Sequence, residues 1–344
     1  MKKTNLFLIT GVMCGAAVTA SGNSGIIIQE NWAPIWAAPA LIGEQARGLS
    51  LDIHEHAMVN DGVWRDDSDS LVWGRYNYTD VKNSDTFDAA GDIHTFNMGF
   101  DVQYDDNARL GGFVSTRHGT FDMTGTSIMD GTNTAATKTK IYSYLLGGYS
   151  YLTFDNFWLT NVAYGGIHQT KLDYEPGITM ESLAAEFGTS AQLGYKFRFD
   201  EQFTISPIVN ARYTMITYGD LGVDNASYVK MKATPKMDLE DFDNLHRFDV
   251  DIGIKFAQTF GTTDGVHATL HLTPSVARSF NDTFYSEFVG MGDYHFNLNK
   301  TIWRIGGGVV MSVYNYLDLE FGARYNQSHG YKRTDFTLGA KLMF

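Results

Sequence analysis

The residues best suited to chemistry are histidines and carboxylates spread along the chain: His94, His118, His168, His246, His295 and His329, with Asp122, Asp173, Asp293 and Asp335. A hydrolase needs a base, a nucleophile or water-orienting acid, and one position that both can reach. No Ser-His-Asp or His-Asp arrangement is recognisable by spacing; Arg117-His118-Gly119 with Asp122 comes nearest. His267 and His271 would share a strand face, but four residues put them about 13 Å apart, too far to bind one metal. The single cysteine, Cys14, lies in a leader segment, which removes disulfides, thiol nucleophiles and thiolate metal sites from the mature chain. No catalytic residue, metal or cofactor is expected.

A second chemically capable set sits at alternate positions of apolar stretches. Phe96, Met98, Phe100, Val102 and Tyr104 alternate with Asn97, Gly99, Asp101 and Gln103. Phe248, Val250, Ile252, Ile254 and Phe256 alternate with Asp249, Asp251, Gly253 and Lys255. Leu317, Leu319, Phe321, Ala323 and Tyr325 alternate with Asp318, Glu320, Gly322 and Arg324. The last stretch ends the chain: Phe336, Leu338, Ala340, Leu342 and Phe344 against Asp335, Thr337, Gly339 and Lys341. A strand sends successive side chains to opposite faces, so each stretch has one greasy and one polar face. The polar faces collect Arg75, Asp101, Lys196, Arg198, Arg212, Asp249, Asp251, Lys255, Asp318, Glu320, Arg324 and Lys341. Both signs occur, which predicts pairing inside a lumen; a selective pore would call for a ladder of one sign.

The bulk numbers narrow the setting of these strands. Among 344 residues, 19 Tyr, 23 Phe and 35 Gly against 6 Pro suit strands rather than disorder. The net charge of −13 argues against nucleic acid, which is bound by neutralising phosphates. No uncharged apolar run is long enough for a transmembrane helix, so a membrane location requires a closed barrel. Residues 1–20 read as a secretory signal: Lys2 and Lys3, the apolar run Leu6 to Val18, then Val18-Thr19-Ala20 with cleavage after Ala20.

Twelve strands are predicted, at 71–78, 93–104, 109–122, 138–153, 156–170, 182–199, 203–216, 245–260, 265–279, 302–314, 316–328 and 330–344. Connections after even-numbered strands are tight, and those covering 79–92, 123–137, 171–181, 217–244 and 280–301 are long. Strict alternation of short and long is what a barrel with short periplasmic turns and longer outer loops requires. The acidic loop 217–244, with Lys230, Lys232 and Lys236 among its carboxylates, reads as a solvated loop or a surface for adhesion. Trp73 and Trp158 are expected in an inner aromatic girdle and Trp303 in an outer one. Ahead of the strands, residues 21–70 hold a lead-in and a helix from Pro39, with Leu41, Gln45, Leu49, Ile53 and Ala57 on one stripe and Glu44, Arg47 and Asp52 elsewhere. Gly43 and Gly48 weaken it, and Asn60-Asp61-Gly62 ends it.

Several short stretches in this order resemble the translocator domain of autotransporters. They are the helix leading into Gly62-Val63-Trp64-Arg65, Trp73-Gly74-Arg75-Tyr76, Phe96 to Tyr104 followed by Asp105 to Gly111, and Gly339-Ala340-Lys341-Leu342-Met343-Phe344. The resemblance implies an all-β, twelve-stranded antiparallel transmembrane barrel over 71–344 with an N-terminal helix in the lumen. It implies a place in the outer membrane, lipid around the barrel, and assembly by barrel-inserting machinery through Phe336, Leu338, Leu342 and Phe344. The stretch between Ala20 and the helix is too short for a β-helical passenger, and Asn60-Asp61 is not the asparagine pair at which some relatives cleave themselves. The expected function is a monomeric translocator or surface-displayed structural protein, its surface ligand unspecified. The alternatives are a small-solute channel and, further off, an outer-membrane hydrolase.

Overall fold

The structure, a computed structural model, describes residues 41–43, 45–59, 70–84, 89–126, 134–174, 178–200, 202–224, 244–261, 265–280, 283–288, 292–297, 300–314 and 316–344. The leader with Ala20, Glu44, and Asn60-Asp61-Gly62 lie outside the described residues. After one helix, α1 (Leu49–Val59), come β1 (Ser70–Asn83), β2 (Ala89–Asp105), β3 (Ala108–Thr126), β4 (Thr134–Phe154), β5 (Phe157–Tyr174), β6 (Ile178–Tyr195), β7 (Phe197–Arg198) and β8 (Phe203–Asp224). The chain continues with β9 (Leu245–Gly261), β10 (Val266–Phe280), β11 (Thr283–Phe288), β12 (Gly292–Asn297), β13 (Thr301–Val313), β14 (Leu317–Ser328) and β15 (Tyr331–Met343).

Neighbouring strands pair antiparallel in sequence order, β15 returns to pair with β1, and β6 pairs with β8, so the sheet closes on itself. The sixth barrel strand is parted at Lys196 into β6 and the two-residue β7, which pairs with the start of β8. β11 and β12 form a separate hairpin between β10 and β13, inside a stretch expected to be loop. Short connections join β2–β3, β4–β5, β9–β10 and β13–β14 at the end of the barrel that also holds Ser70 and Met343. Asp155 adopts φ 53° in the two-residue turn after β4, a left-handed conformation that Asp tolerates.

At the opposite end the strands run on past their expected limits. β4 has 21 residues and β8 has 22, against 12 for β14 and 13 for β15. The stretches 79–92, 123–137 and 171–181 are therefore mostly strand, leaving only 84–88, 127–133 and 175–177 between paired strands. Beyond the apolar belt a hairpin no longer needs one greasy face, so its alternation fades while its ladder continues.

Side-chain direction follows the alternation. Phe96, Phe100, Ile252, Phe321, Phe336, Leu338, Leu342 and Phe344 are exposed on the outside. Arg75, Asp101, Lys196, Arg212, Asp249, Lys255, Asp318, Glu320, Arg324 and Lys341 are buried on the inside. Arg198 differs: it lies on β7 at the barrel's end, where the wall has run out, and is exposed. Trp303 is 66% exposed on the outer surface, but Trp73 and Trp158 are fully interior. Their girdle placement is corrected by parity, since Trp73 is two residues from inward Arg75 and Trp158 two from inward Thr160.

Candidate functional site

The lumen is built around α1 and the helical turns just before it. The helix does not run unbroken from Pro39: helical turns at 41–43 and 45–46 give way to a turn at Arg47-Gly48, after which α1 begins. Glycine there weakens a continuous helix, and a methyl at Gly48 would also run into the guanidinium of Arg333.

The apolar stripe packs on one side of the wall. Leu49 and Ile53 are buried with Leu71, Trp73, Phe113, Leu145, Tyr149, Val162 and Tyr164, contributed by β1, β3, β4 and β5. Ala57 sits with Tyr151, Trp158 and Ile208. The large rings fit because each faces a glycine across the ladder: Trp73 opposite Gly99, Tyr149 opposite Gly111, Tyr164 opposite Gly188 and Trp158 opposite Gly194. A methyl at Gly111, Gly188 or Gly194 would enter the facing ring, so the aromatics lie flat along the wall and leave room for the helix. The His56 ring stacks on Trp73 with centroids 4.0 Å apart, and Trp73 Nε1 donates to the Tyr149 hydroxyl at 2.9 Å.

The other side is ionic. Arg75 reaches Glu55 at 2.8 Å and Glu320 at 3.0 Å; Arg324 reaches Glu55 at 2.8 Å, Asp52 at 3.0 Å and Asp335 at 3.0 Å. Asp335 also takes Arg333 at 2.8 Å and the Thr79 hydroxyl at 2.6 Å, so it is a wall carboxylate and not a rim acid. Nearer the helix start, Asp249 is shared by Arg212, Arg247 at 3.3 Å and Arg47 at 3.8 Å. Asp251 pairs with Arg304. Arg109, Arg117, Arg247, Arg304, Arg333 and Glu186 are buried charges that sequence reading did not assign to the lumen, although their parity marks them.

Helix histidines are held neutral. Burial, with Arg212 beside it, pushes His54 down to about 3, and His54 Nε2 lies 2.8 Å from the Ser190 hydroxyl. Burial, then Lys341, Arg75 and Arg109, pushes His56 well below its ordinary value. A cavity of about 70 Å³ remains beside the helix, lined by Gln192, Asn210, Asp251, Lys255, His271 and Arg304 among others; it has room for a handful of waters.

The hydrolase candidates do not converge. His94 and His246 are exposed on the outer surface against Tyr76 and Tyr213, His118 packs edge-on to Tyr142, and Asp122 and His329 are exposed. Asp173 lies 3.9 Å from Lys140. His295 and Asp293 lie on β12, in the hairpin that is not part of the barrel sheet. Among the described residues no cluster of His, Cys, Asp and Glu could hold a metal ion. One constellation does form: Ser143 Oγ is 2.6 Å from His168 Nδ1, and His168 Nε2 is 2.8 Å from Glu186, which also accepts from Tyr164 at 2.9 Å. All of these side chains are buried, Ser143 completely, so no substrate reaches the hydroxyl.

The wall of this closed barrel matches a known family: the autotransporter beta-domain model covers residues 72–325. The chain belongs to the autotransporter β-domain family. Among solved structures, the translocator domain of the autotransporter NalP from Neisseria meningitidis is 15% identical, with a TM-score of 0.65 over 91% of this chain and 99% of that one. The β domain of the Bordetella autotransporter BrkA is 14% identical, with a TM-score of 0.60 over 81% of this chain and 100% of that one. At these identities the two structures share the fold. No curated protein matches the chain. The autotransporter β-domain is thus a twelve-stranded barrel of outer-membrane type, and its lumen is the candidate functional site.

Proposed function

We propose that this barrel sits in the cell outer membrane, carries its own N-terminal segment toward the cell surface, and is then closed by α1. The observation that carries the reading is the direction of the helix. His56 lies against Trp73 and Lys341, at the end with short turns and the barrel's termini, whereas Gln45 is held by Arg117 farther toward the long hairpins. In a barrel with periplasmic short turns, the Leu41 end of the plug is therefore the end nearer the outer side. The apolar stripe and two ion clusters supply the closure.

The accompanying parts follow from the same reading. The leader is cut after Ala20, the exposed belt meets outer-membrane lipid, the monomer is inserted by barrel-assembly machinery that reads Phe336, Leu338, Leu342 and Phe344, and the outer hairpins are free to meet a surface ligand. The barrel is not an enzyme: Ser143, His168 and Glu186 brace β4, β5 and β6 against one another. Single-channel conductance tests the main claim, with the mature chain beside one starting at Asp61. Low, flickering conductance that becomes large and steady on truncation is expected; large conductance in both would replace the translocator with a small-solute channel.

A further inference from the structure

Five wall cations donate to main-chain oxygens of the plug. Arg247 Nη1 donates to Gly43 O at 2.9 Å, Arg117 Nη1 to Gln45 O at 2.5 Å, Arg212 Nη1 to Arg47 O at 2.7 Å, and Lys341 Nζ to His56 O at 2.9 Å. Arg75 donates to Asp52 O. The five come from five strands, β9, β3, β8, β15 and β1, and follow the plug from residue 43 to residue 56, about 20 Å at a helical rise.

Four of the five carbonyls belong to helix ends. Those of Gly43, Gln45 and Arg47 fall at the break before α1, and that of His56 falls in its last turn, where carbonyls lack an N–H partner. An extended polypeptide presents such carbonyls at every residue, whatever its sequence. At Gln45 the preference for main chain is explicit: its carbonyl is held, while both polar atoms of its buried side-chain amide have no hydrogen-bond partner among the described residues. Sequence-specific contacts concentrate lower down, where Asp52 and Glu55 meet Arg75, Arg324 and Asn77.

We infer that these five cations form a sequence-neutral track that grips the main chain of polypeptide passing through the lumen, and that the Asp52 and Glu55 pairs are the lock that stops α1 in register. The inference rests on the translocator reading. It names what the lumen recognises: carbonyl oxygens, not a side-chain motif.

The experiment uses the full mature chain with an epitope placed ahead of Leu41, carrying Arg117→Met, Arg117→Lys, Arg247→Met or Gln45→Leu. Arg117 and Arg247 are chosen because their removal leaves Glu186 with His168 and Tyr164, and Asp249 with Arg212. Folding is checked by heat-modifiable gel migration, open time in planar bilayers, and export by protease access to the epitope on intact cells. Losing one charge-assisted hydrogen bond should change open time and slow export by about tenfold each in the Met variants, with Lys restoring most of both. Gln45→Leu, which removes a buried amide without hydrogen-bond partners among the described residues and keeps the carbonyl, should not slow export. Two independent arginines keep the test alive if one variant fails to fold. Folded Met variants with unchanged export, including variants that open the pore without slowing it, would overturn the track, as would a Gln45→Leu effect equal to that of Arg117→Met. An unsubstituted chain that already conducts fully would instead defeat the translocator reading itself.

Discussion

Asp249 is the residue on which most buried positive charge converges. Arg212, Arg247 and Arg47 all turn to its carboxylate, which two of them reach from the wall and one from the plug. A buried ion pair contributes little net stability when intact, because both charges were taken from water; removing one partner leaves the desolvation cost without the attraction. Asp249→Ala leaves three guanidinium groups in one small volume without the carboxylate they share. It should cost about 3–5 kcal/mol, seen as a lower unfolding midpoint of the barrel in urea, and Asp249→Ala with Arg212→Met should recover part of the loss. Equal stability of Asp249→Ala and the parent would mean that water already screens this cluster. Glu320 gives a milder case, since Arg75 keeps Glu55 when it is lost.

The helix is the element whose docking responds to pH. His54 faces Ser190, Arg212 and Glu55, and it holds no proton while docked, its pKa lowered to about 3 by burial. Undocked, it would titrate near 6.5. Its contribution to docking is therefore complete above pH 6.5 and falls as pH drops toward 3, by about tenfold in the docking equilibrium per pH unit. His56, lowered in the same direction, adds to the effect. Open probability should rise as pH is taken from 7.5 to 5, and His54→Gln with His56→Gln should flatten the curve; a pH-independent parent would refute the account. The stripe that docks this helix was legible in sequence, because Leu41, Gln45, Leu49, Ile53 and Ala57 repeat at helical spacing and all are buried. Its break at Arg47-Gly48 was signalled only as a weak point. The inward Trp73 and Trp158 were misplaced because an aromatic suits a membrane girdle and a lumen equally, and only the parity of Arg75 and Thr160 separates the two. The Ser143–His168–Glu186 brace was hidden by counting along the chain. Register shows it: the two-residue turn after Phe154 sets Ser143 opposite His168, and Glu186 stands diagonally across the next ladder.

Across the whole molecule, the wall is lopsided. A tilted strand crosses the bilayer in about 9–11 residues, so β14 and β15 barely exceed a span whereas β4 and β8 carry about ten residues more, a projection of roughly 20 Å. Because the short turns share one end, the excess stands at the opposite end, along β3 to β8. Charges mark the end of the apolar belt: Lys140 with Asp173 and Lys171 with Glu181 occupy the outward faces of β4, β5 and β6, where an acyl-chain environment would cost about 2–4 kcal/mol per Lys. These pairs are exposed and add little stability of their own. The projecting hairpins are thus separable from the barrel that holds the plug, whose contacts with Arg117, Trp73 and Tyr149 lie below them. Replacing residues 123–137 with Asn-Gly, a two-residue hairpin turn, should leave a barrel with unchanged heat-modifiable migration and an unchanged closed conductance. Loss of the folded band would show that the extended wall helps close the barrel, and a folded but conducting product would show that the upper hairpin, rather than the lumen wall, holds the helix in place.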